Sequence, residues 1–332
     1  MASLLVTGGA GFIGSHTVRQ LAEAGEHIVV LDNMVHGHED AVVHPSVELV
    51  VGDIGDAQLV ETLFKAHDFE GVLHFAAWTQ VGESMEQPLR YYQNNIAAPL
   101  VLLEVMKNHH ARRFIFSSTA ATYGNPQAIP MAETHPQEPI NPYGMSKLML
   151  ERVLADCDAA WGLKHVILRY FNAGGSSADG LIGEDHDPET HLIPRVLMAV
   201  LGRLPQLTVF GDDYPTPDGS CIRDYIHVLD LASAHARALN YLRGGGSSTG
   251  CNLGTGIGVS VKEIIALAEE ITGKPVPHVY GPRRAGDPPS LVADPSKAKA
   301  VLGWEAEHAH PRHMVEATWK WLTGPRGGRY GR

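Results

Sequence analysis

Short apolar runs alternate with stretches whose apolar residues recur every three or four positions, and this alternation fills the first half of the chain. The runs predict strands at residues 3–7, 27–31, 48–51, 71–75, 114–117 and 165–168. The three-to-four periodicity predicts helices at 12–24, 56–67, 89–108 and from about 143 to 161. Repeated β–α units of this length imply an α/β fold, a doubly wound parallel sheet with helices on both faces. Such sheets take ligands at the carboxyl ends of their strands, where the strand order reverses.

From about residue 175 the pattern loosens. Gly and Pro become frequent, and helices predicted at 192–202, 228–241, 261–272 and 312–322 are separated by long loops. This reads as a smaller α/β C-terminal lobe closing over the sheet edge. The expected division is a first domain at 1–174, a substrate lobe at 175–324 and a disordered tail at 325–332. A return crossing into the first domain is expected near 224–231. The run RGGGSSTG reads as a flexible turn, and the tail GPRGGRYGR as solvated, by composition.

Composition narrows the function classes. With 332 residues, 44% apolar and 19% charged, the chain is ordinary for a globular protein with a sizeable core. A formal net charge of −11 argues against a nucleic-acid partner, which calls for a basic surface. Cys157, Cys221 and Cys251 show no paired spacing, so neither a disulfide framework nor a cysteine zinc site is expected, and a reducing cytoplasm fits. The 19 histidines include no recognised ligand spacing, so no metal is expected. No apolar run reaches the ~18 residues of a membrane span, and no signal peptide is expected.

The stretch VTGGAGFIGS follows the first strand and opens the first helix. Gly8, Gly11 and Gly14 would permit a tight turn, close approach of the backbone to a pyrophosphate, and close helix–strand packing. A glycine triplet alone says little. Here a strand precedes it, a helix follows, and an acid, Asp32, ends the second strand. That is the pattern of a Rossmann-type dinucleotide site. A carboxylate at Asp32 can accept both adenosine ribose hydroxyls and would repel a 2′-phosphate, which favours NAD over NADP. Asp53 would sit near the adenine, or else cap the helix predicted at 56–67.

NPYGMSKLML places Tyr143 and Lys147 four residues apart, on one helix face. A free tyrosine, with a pKa near ~10, is a poor base at neutral pH. A neighbouring ammonium and an oxidised nicotinamide are expected to favour the phenolate, which could take a proton from a sugar hydroxyl while hydride leaves that carbon. In FIFSSTAATYG, Thr119 follows a strand end and can hold the reacting hydroxyl. Ser117 and Ser118 read equally well as hydrogen-bonding residues at the strand end.

With these residues in place, the chain resembles the extended short-chain dehydrogenase/reductase family, and within it the UDP-glucose 4-epimerase (UDP-galactose 4-epimerase) family. The matches run in order through nearly the whole chain: TGGAGFIGSH, LDN, GDI, HFAA…VGES, NPYGMSK, LRYFNAGG, HLIP, TVFGDDYPTPDGSCIRDYIHVLDLA, NLGTG and RRAGDPPSLVADPSKA. The long block in the second lobe is more selective than the glycines. The resemblance implies NAD contacts from Phe12, Ile13, Asp32, Asn33, Asp53, Ile54, Phe75, Ala76, Ala77, Trp78, Thr79, Asn94, Tyr143, Lys147 and Phe171. It implies UDP-sugar contacts from Thr119, Asn172, His191, Leu192, Thr208, Val209, Phe210, Arg223, Arg284, Asp287 and Leu291. Arg223 and Arg284 offer planar donors suited to a diphosphate, Asp287 could take ribose hydroxyls, and Phe210 could pack near uracil.

The implied reaction is reversible C4 epimerisation of UDP-glucose and UDP-galactose. Tyr143 takes the 4-OH proton, hydride passes from C4 to tightly bound NAD, the 4-keto sugar swings over, and hydride returns to its other face. A homodimer is implied, with 89–108 and 141–161 as contact helices. Three departures stand out: Thr79 where some members carry lysine, His191 where others carry asparagine, and Leu291 where the family has either a large aromatic or a small residue. A smaller residue there leaves room for an N-acetyl group, so UDP-N-acetylhexosamines are candidate substrates.

Rival readings are weighed on residues. A nucleotide-sugar 4,6-dehydratase needs an acid–base pair, which the related family places directly after the threonine; here Ala120 and Ala121 follow. A 4-epimerase of UDP-glucuronate or UDP-xylose is the nearer alternative. A dehydrogenase that releases NADH would betray itself by net NADH accumulation. A non-catalytic NAD-binding protein would have no reason to keep Thr119, Tyr143 and Lys147 together.

Overall fold

The structure is a computed structural model that describes residues 2–284 and 287–331. In the first half, β1 (Ser3–Thr7), α1 (Phe12–Glu23), β2 (Ile28–Asp32), β3 (Glu48–Val51), α2 (Ala57–Ala66), β4 (Phe69–His74), α3 (Val81–Glu86), α4 (Pro88–Tyr92), α5 (Ala98–Asn108), β5 (Arg113–Thr119), α6 (Pro142–Trp161) and β6 (Lys164–Tyr170) follow in order. The second half holds β7 (Asn172–Gly174), α7 (Leu192–Val200), β8 (Leu207–Phe210), β9 (Ile222–His227), α8 (Val228–Arg243), β10 (Thr249–Leu253), β11 (Gly258–Ser260), α9 (Val261–Thr272), β12 (His278–Gly281), β13 (Ser290–Leu291), α10 (Ser296–Leu302) and α11 (Pro311–Thr323).

Seven parallel strands form the main sheet in the order β10-β6-β5-β4-β1-β2-β3. The order reverses between β1 and β4, which opens a crevice beyond their carboxyl ends. The central strands are apolar on both faces because both faces are covered. One face packs with α1 and α8 through Val18, Leu21, Leu231, Ala238 and Leu239. The other packs with α2, α5 and α6 through Leu63, Leu102, Met106, Leu150 and Leu154.

The second lobe has its own core, centred on Ile193, Leu197, Val209, Ile264, Met314 and Trp321. In it β9 pairs with β7 and β13 in parallel and with β11 antiparallel, while β8 and β12 form a separate parallel pair. The chain returns to the first layer between these elements. α8 packs on α1, and β10 joins β6 at the sheet edge. The glycine-rich run read as a flexible turn therefore leads straight into a strand.

Two expectations are corrected. The helix expected at 89–108 is not uniform, because a π-turn at Gln93–Ala97 separates α4 from α5. Pro99 has no amide to donate back along the helix, and a widened turn accommodates that loss. The turn carries Asn95 inward, where its side chain accepts from Trp78 N (2.9 Å) and donates to Trp78 O (3.0 Å) and Ser146 Oγ (3.0 Å).

The tail expected to be disordered is docked as far as residue 331. Tyr330 is 6% exposed and packs against Trp321 and His38. Its hydroxyl donates to Gly183 O (3.1 Å) and accepts from Gly183 N (3.0 Å). One buried tyrosine outweighs the glycines and arginines that set the composition of this segment. No helix among the described residues is long and apolar enough to cross a membrane.

Candidate active site

At the β1–α1 turn Gly8 has φ +73°, and a Cβ there would lie 2.4 Å from Ala76 N at the end of β4. A Cβ on Gly14 would meet Gly8 O at 2.2 Å. These two glycines bring loop, helix and neighbouring strand together. Gly11 is different: a Cβ there would face open space apart from Gly8 O at 3.4 Å. α1 begins here with no side-chain cap and no acid in its first turn, so its leading amides are free to meet an anion.

The adjoining cleft, about 570 Å³, is lined by Gly8, Gly11, Leu31, Asp32, Asn33, Val35, His36, Gly37, Gly52, Asp53, Ile54, Phe75, Ala76, Ala77, Trp78 and Asn94. Most residues expected to hold NAD line this one crevice, at the switch point of the sheet. Phe12, Ile13 and Phe171 are half-buried outside the lining, and Thr79 is exposed. Asp32 accepts from Ala10 N (3.0 Å) and Met34 N (2.9 Å). Burial pushes its carboxyl up, while the two amides and then His36 and His38 hold it down. Asp53 accepts from Asn33 Nδ2 (2.8 Å) and Gly55 N (2.7 Å). The cap of α2 is Asp56, not Asp53. A narrow loop over free helix amides with an acid at the end of β2 fits a dinucleotide.

α6 starts where it does because Asn141 caps it, accepting from Gly144 N (2.8 Å), and Pro142 occupies the first turn without needing an amide partner. The next turns bury Tyr143 and Lys147 against the end of β5. Thr119 Oγ1 accepts from Ala121 N (3.1 Å), and its hydroxyl is close enough to the Tyr143 phenol to oppose the effect of burial on it.

In the protein alone the phenol is not activated. Burial raises the Tyr143 phenol above its ordinary value, Tyr170 adds to the rise, and only Thr119 opposes it. Lys147 does not lower the phenol here, because Nζ turns to the main chain and donates to Ser117 O (2.8 Å). Burial also pushes Lys147 down to about 7, against the opposing pull of Glu151. Glu151 is a buried partner that sequence reasoning missed. It accepts from Ser118 Oγ (2.5 Å), Gln137 Nε2 (2.8 Å) and Arg169 Nη2 (2.6 Å). Its place one turn beyond Lys147 was the available signal.

The residues expected to hold the nucleotide lie on several elements of the second lobe. Arg223 on β9 is ion-paired with Asp287 and donates to Ile222 O (2.7 Å) and Pro288 O (3.0 Å). Leu291 pairs with Arg223 in register. The Arg284 guanidinium lies 4.1 Å above the Phe210 ring. Asn172 donates to Asp224 O (3.0 Å), which ties β7 to β9.

Along β8, Thr208 and Phe210 are half-buried. Val209 is 2% exposed in the lobe core, so its side chain cannot meet a ligand. β8 residues alternate between faces, and Val209 takes the inner one, which leaves its main chain for a ligand contact. His191 caps α7 by position and Leu192 opens it. His191 Nδ1 lies 2.6 Å from Glu184 Oε1, and that carboxylate raises the imidazole well above its ordinary value.

Residues 5–317 match the family described as GDP-mannose 4,6 dehydratase. A UDP-glucose 4-epimerase of Halalkalibacterium halodurans is 51% identical over 319 residues, 96% of this chain and 95% of that protein. This chain belongs to the UDP-glucose 4-epimerase family. Two solved structures of the family agree. The UDP-glucose 4-epimerase of Brucella ovis in complex with NAD is 48% identical with a TM-score of 0.94, covering 96% of this chain and 98% of that one. That of Bifidobacterium longum in complex with NAD+ and UDP is 40% identical with a TM-score of 0.93, covering 99% and 100%. The broad family is named for a dehydratase, but the epimerase branch suits the site: Thr119 leads into Ala120 and Ala121, and no carboxyl stands there to eliminate water.

Proposed function

We propose that this chain interconverts UDP-galactose and UDP-glucose by inverting C4, with NAD as its resident cofactor. The observation that carries the reading is the cluster of Tyr143, Thr119 and Lys147 at the carboxyl end of β5, in a sheet whose β1, β2 and β4 end in the glycine-lined cleft. The free amides at the start of α1 would hold the pyrophosphate and Asp32 the adenosine ribose. Asn33, Asp53, Ile54, Phe75, Ala76, Ala77, Trp78 and Asn94 would line the rest. When bound, the nicotinamide supplies a reversible hydride acceptor and, when oxidised, a positive charge.

The chain's own residues supply the remainder. Thr119 would hold the sugar 4-OH and Tyr143 would take its proton. In the protein alone the phenol is held protonated, so Tyr143 would serve as well as the acid that returns the proton to the 4-keto sugar. Arg223, Arg284 and Asp287, with Asn172, His191, Leu192, Thr208, Phe210 and Leu291, would grip the nucleotide while the sugar turns. The first lobe, 1–174 with the returning α8 and β10, would hold NAD, and the second lobe the UDP-sugar. Leu291 is half-buried and not aromatic; beside the sugar it would leave room for an N-acetyl group, and UDP-N-acetylhexosamines would be turned over too.

A second copy of the chain would cover α4, α5 and α6. Leu89 is 75% exposed, Leu100 43%, Met145 36% and Met149 42% on these helices. Such a row of apolar side chains in water is the mark of a contact between subunits.

The test is chromatographic. Purified protein given UDP-galactose and no added cofactor should form UDP-glucose without net release of NADH, and Tyr143→Phe should lose ~10²–10⁴-fold in rate. No conversion with or without added NAD would sink the reading.

A further inference from the structure

Four side chains outside the cleft converge in the loop that leads into α7. Glu184, His186, Glu189 and His191 each present one donor atom, and the four atoms lie within 4.8 Å of one another. His191 Nδ1 stands 2.6 Å from Glu184 Oε1 and 3.3 Å from Glu189 Oε1. His186 Nδ1 stands 3.2 Å from Glu184 Oε1 and 3.8 Å from Glu189 Oε2. Four donors bound at about 2.0–2.2 Å around one tetrahedral ion are roughly 3.3 Å apart. The two separations from Glu184 Oε1, 2.6 and 3.2 Å, fall at or somewhat below that value. The spacing, Glu-x-His-x-x-Glu-x-His, matches no motif sought in the sequence, and for that reason no metal was expected.

A second observation points the same way. Glu184 is only 4% exposed, yet its Oε1 receives no hydrogen bond of acceptable geometry. Two imidazole nitrogens crowd this oxygen without aiming a proton at it. A buried carboxylate oxygen left so is costly unless something else meets it. The neighbouring Asp185 is not part of the set, because it accepts from Tyr330 N (3.0 Å) and lies 3.8 Å from His38.

We propose that Glu184, His186, Glu189 and His191 form a binding site for one divalent transition-metal cation of the zinc class. Two carboxylates balance a dication, and the two imidazoles, once they give up the protons that Glu184 favours on them, complete its mixed nitrogen and oxygen set. The ion would tie the loop at 184–189 to His191, the cap of α7. That segment carries His191 and Leu192 toward the nucleotide, so the ion would position the substrate lobe and take no part in the chemistry at C4.

The test uses the full chain without a histidine tag, treated with chelator and then titrated with Co²⁺. The expected result is visible d–d absorption that saturates at about one equivalent per chain and is displaced by Zn²⁺. Glu184→Gln and His186→Ala should each abolish it while circular dichroism shows the fold retained. His186 is the more exposed of the pair, so His186→Ala carries the test if Glu184→Gln does not fold. No saturable absorption in the wild type, or equal absorption in a folded variant, would overturn the proposal and leave the four side chains as an ion-pair network.

Discussion

Lys147 should weaken the fold it serves. Its side chain is 3% exposed and its one hydrogen bond is to Ser117 O. An amine that releases its proton at about 7 when folded, rather than at the usual 10.5, disfavours the charged form inside the protein. The folded state then binds fewer protons than the unfolded chain between these values, so stability rises with pH across that window. At pH 7 the penalty is about 4 kcal/mol, and by pH 9.5 it has fallen to about 1 kcal/mol. Lys147→Met keeps the length of the side chain and removes the charge. It also removes the bond to Ser117 O, which costs about 1 kcal/mol. The variant should therefore be about 3 kcal/mol more stable than the wild type at pH 7, and within about 1 kcal/mol of it at pH 9.5. Urea denaturation of both proteins, stripped of NAD, measures the gap at each pH. Epimerase turnover should be lost at the same time. A variant less stable than the wild type at pH 7, or a gap that does not narrow with pH, would refute the reasoning.

Other perturbations reach other parts of the account. Gly14→Ala puts a methyl 2.2 Å from Gly8 O, a main-chain atom that cannot step aside; the purified variant should carry little NAD, with binding weaker by roughly 10–100-fold, and full occupancy would contradict the cradle. Tyr330→Ala should cost about 3–5 kcal/mol and lower the melting temperature by several degrees; unchanged melting would mean the tail contributes nothing to the fold. Leu291→Tyr should suppress turnover of UDP-N-acetylglucosamine far more than that of UDP-galactose, and equal losses would remove Leu291 from the sugar pocket.

Local features were legible in the sequence, and features made by distant contacts were not. The Gly8–Gly14 turn, Asp32 at the end of β2 and the Asn141–Pro142 start of α6 each follow from the conformational needs of a few adjacent residues. The alternation of strands and helices likewise foretold the parallel sheet. The entry of β10 beside β6 depends on partners some 80 residues away, and nothing in TGCNL names its neighbour. Composition misled at the tail, where one aromatic ring decides the outcome. At Lys147 the spacing rightly placed the ammonium on the same helix face as Tyr143, but the carbonyl it meets belongs to β5, 30 residues away. Val209 shows the limit of alternation, which says that neighbours point apart but not which of them faces the core.

Deuterium at C4 tests the central claim most directly. UDP-galactose labelled there, incubated with the purified protein in ordinary water with an excess of unlabelled NAD, should yield UDP-glucose that keeps the deuterium at C4. Retention means that hydrogen left and rejoined the same carbon within one closed site, as resident NAD requires. Loss of the label to added cofactor or to water, or a product with C5 and C6 altered, would contradict the account.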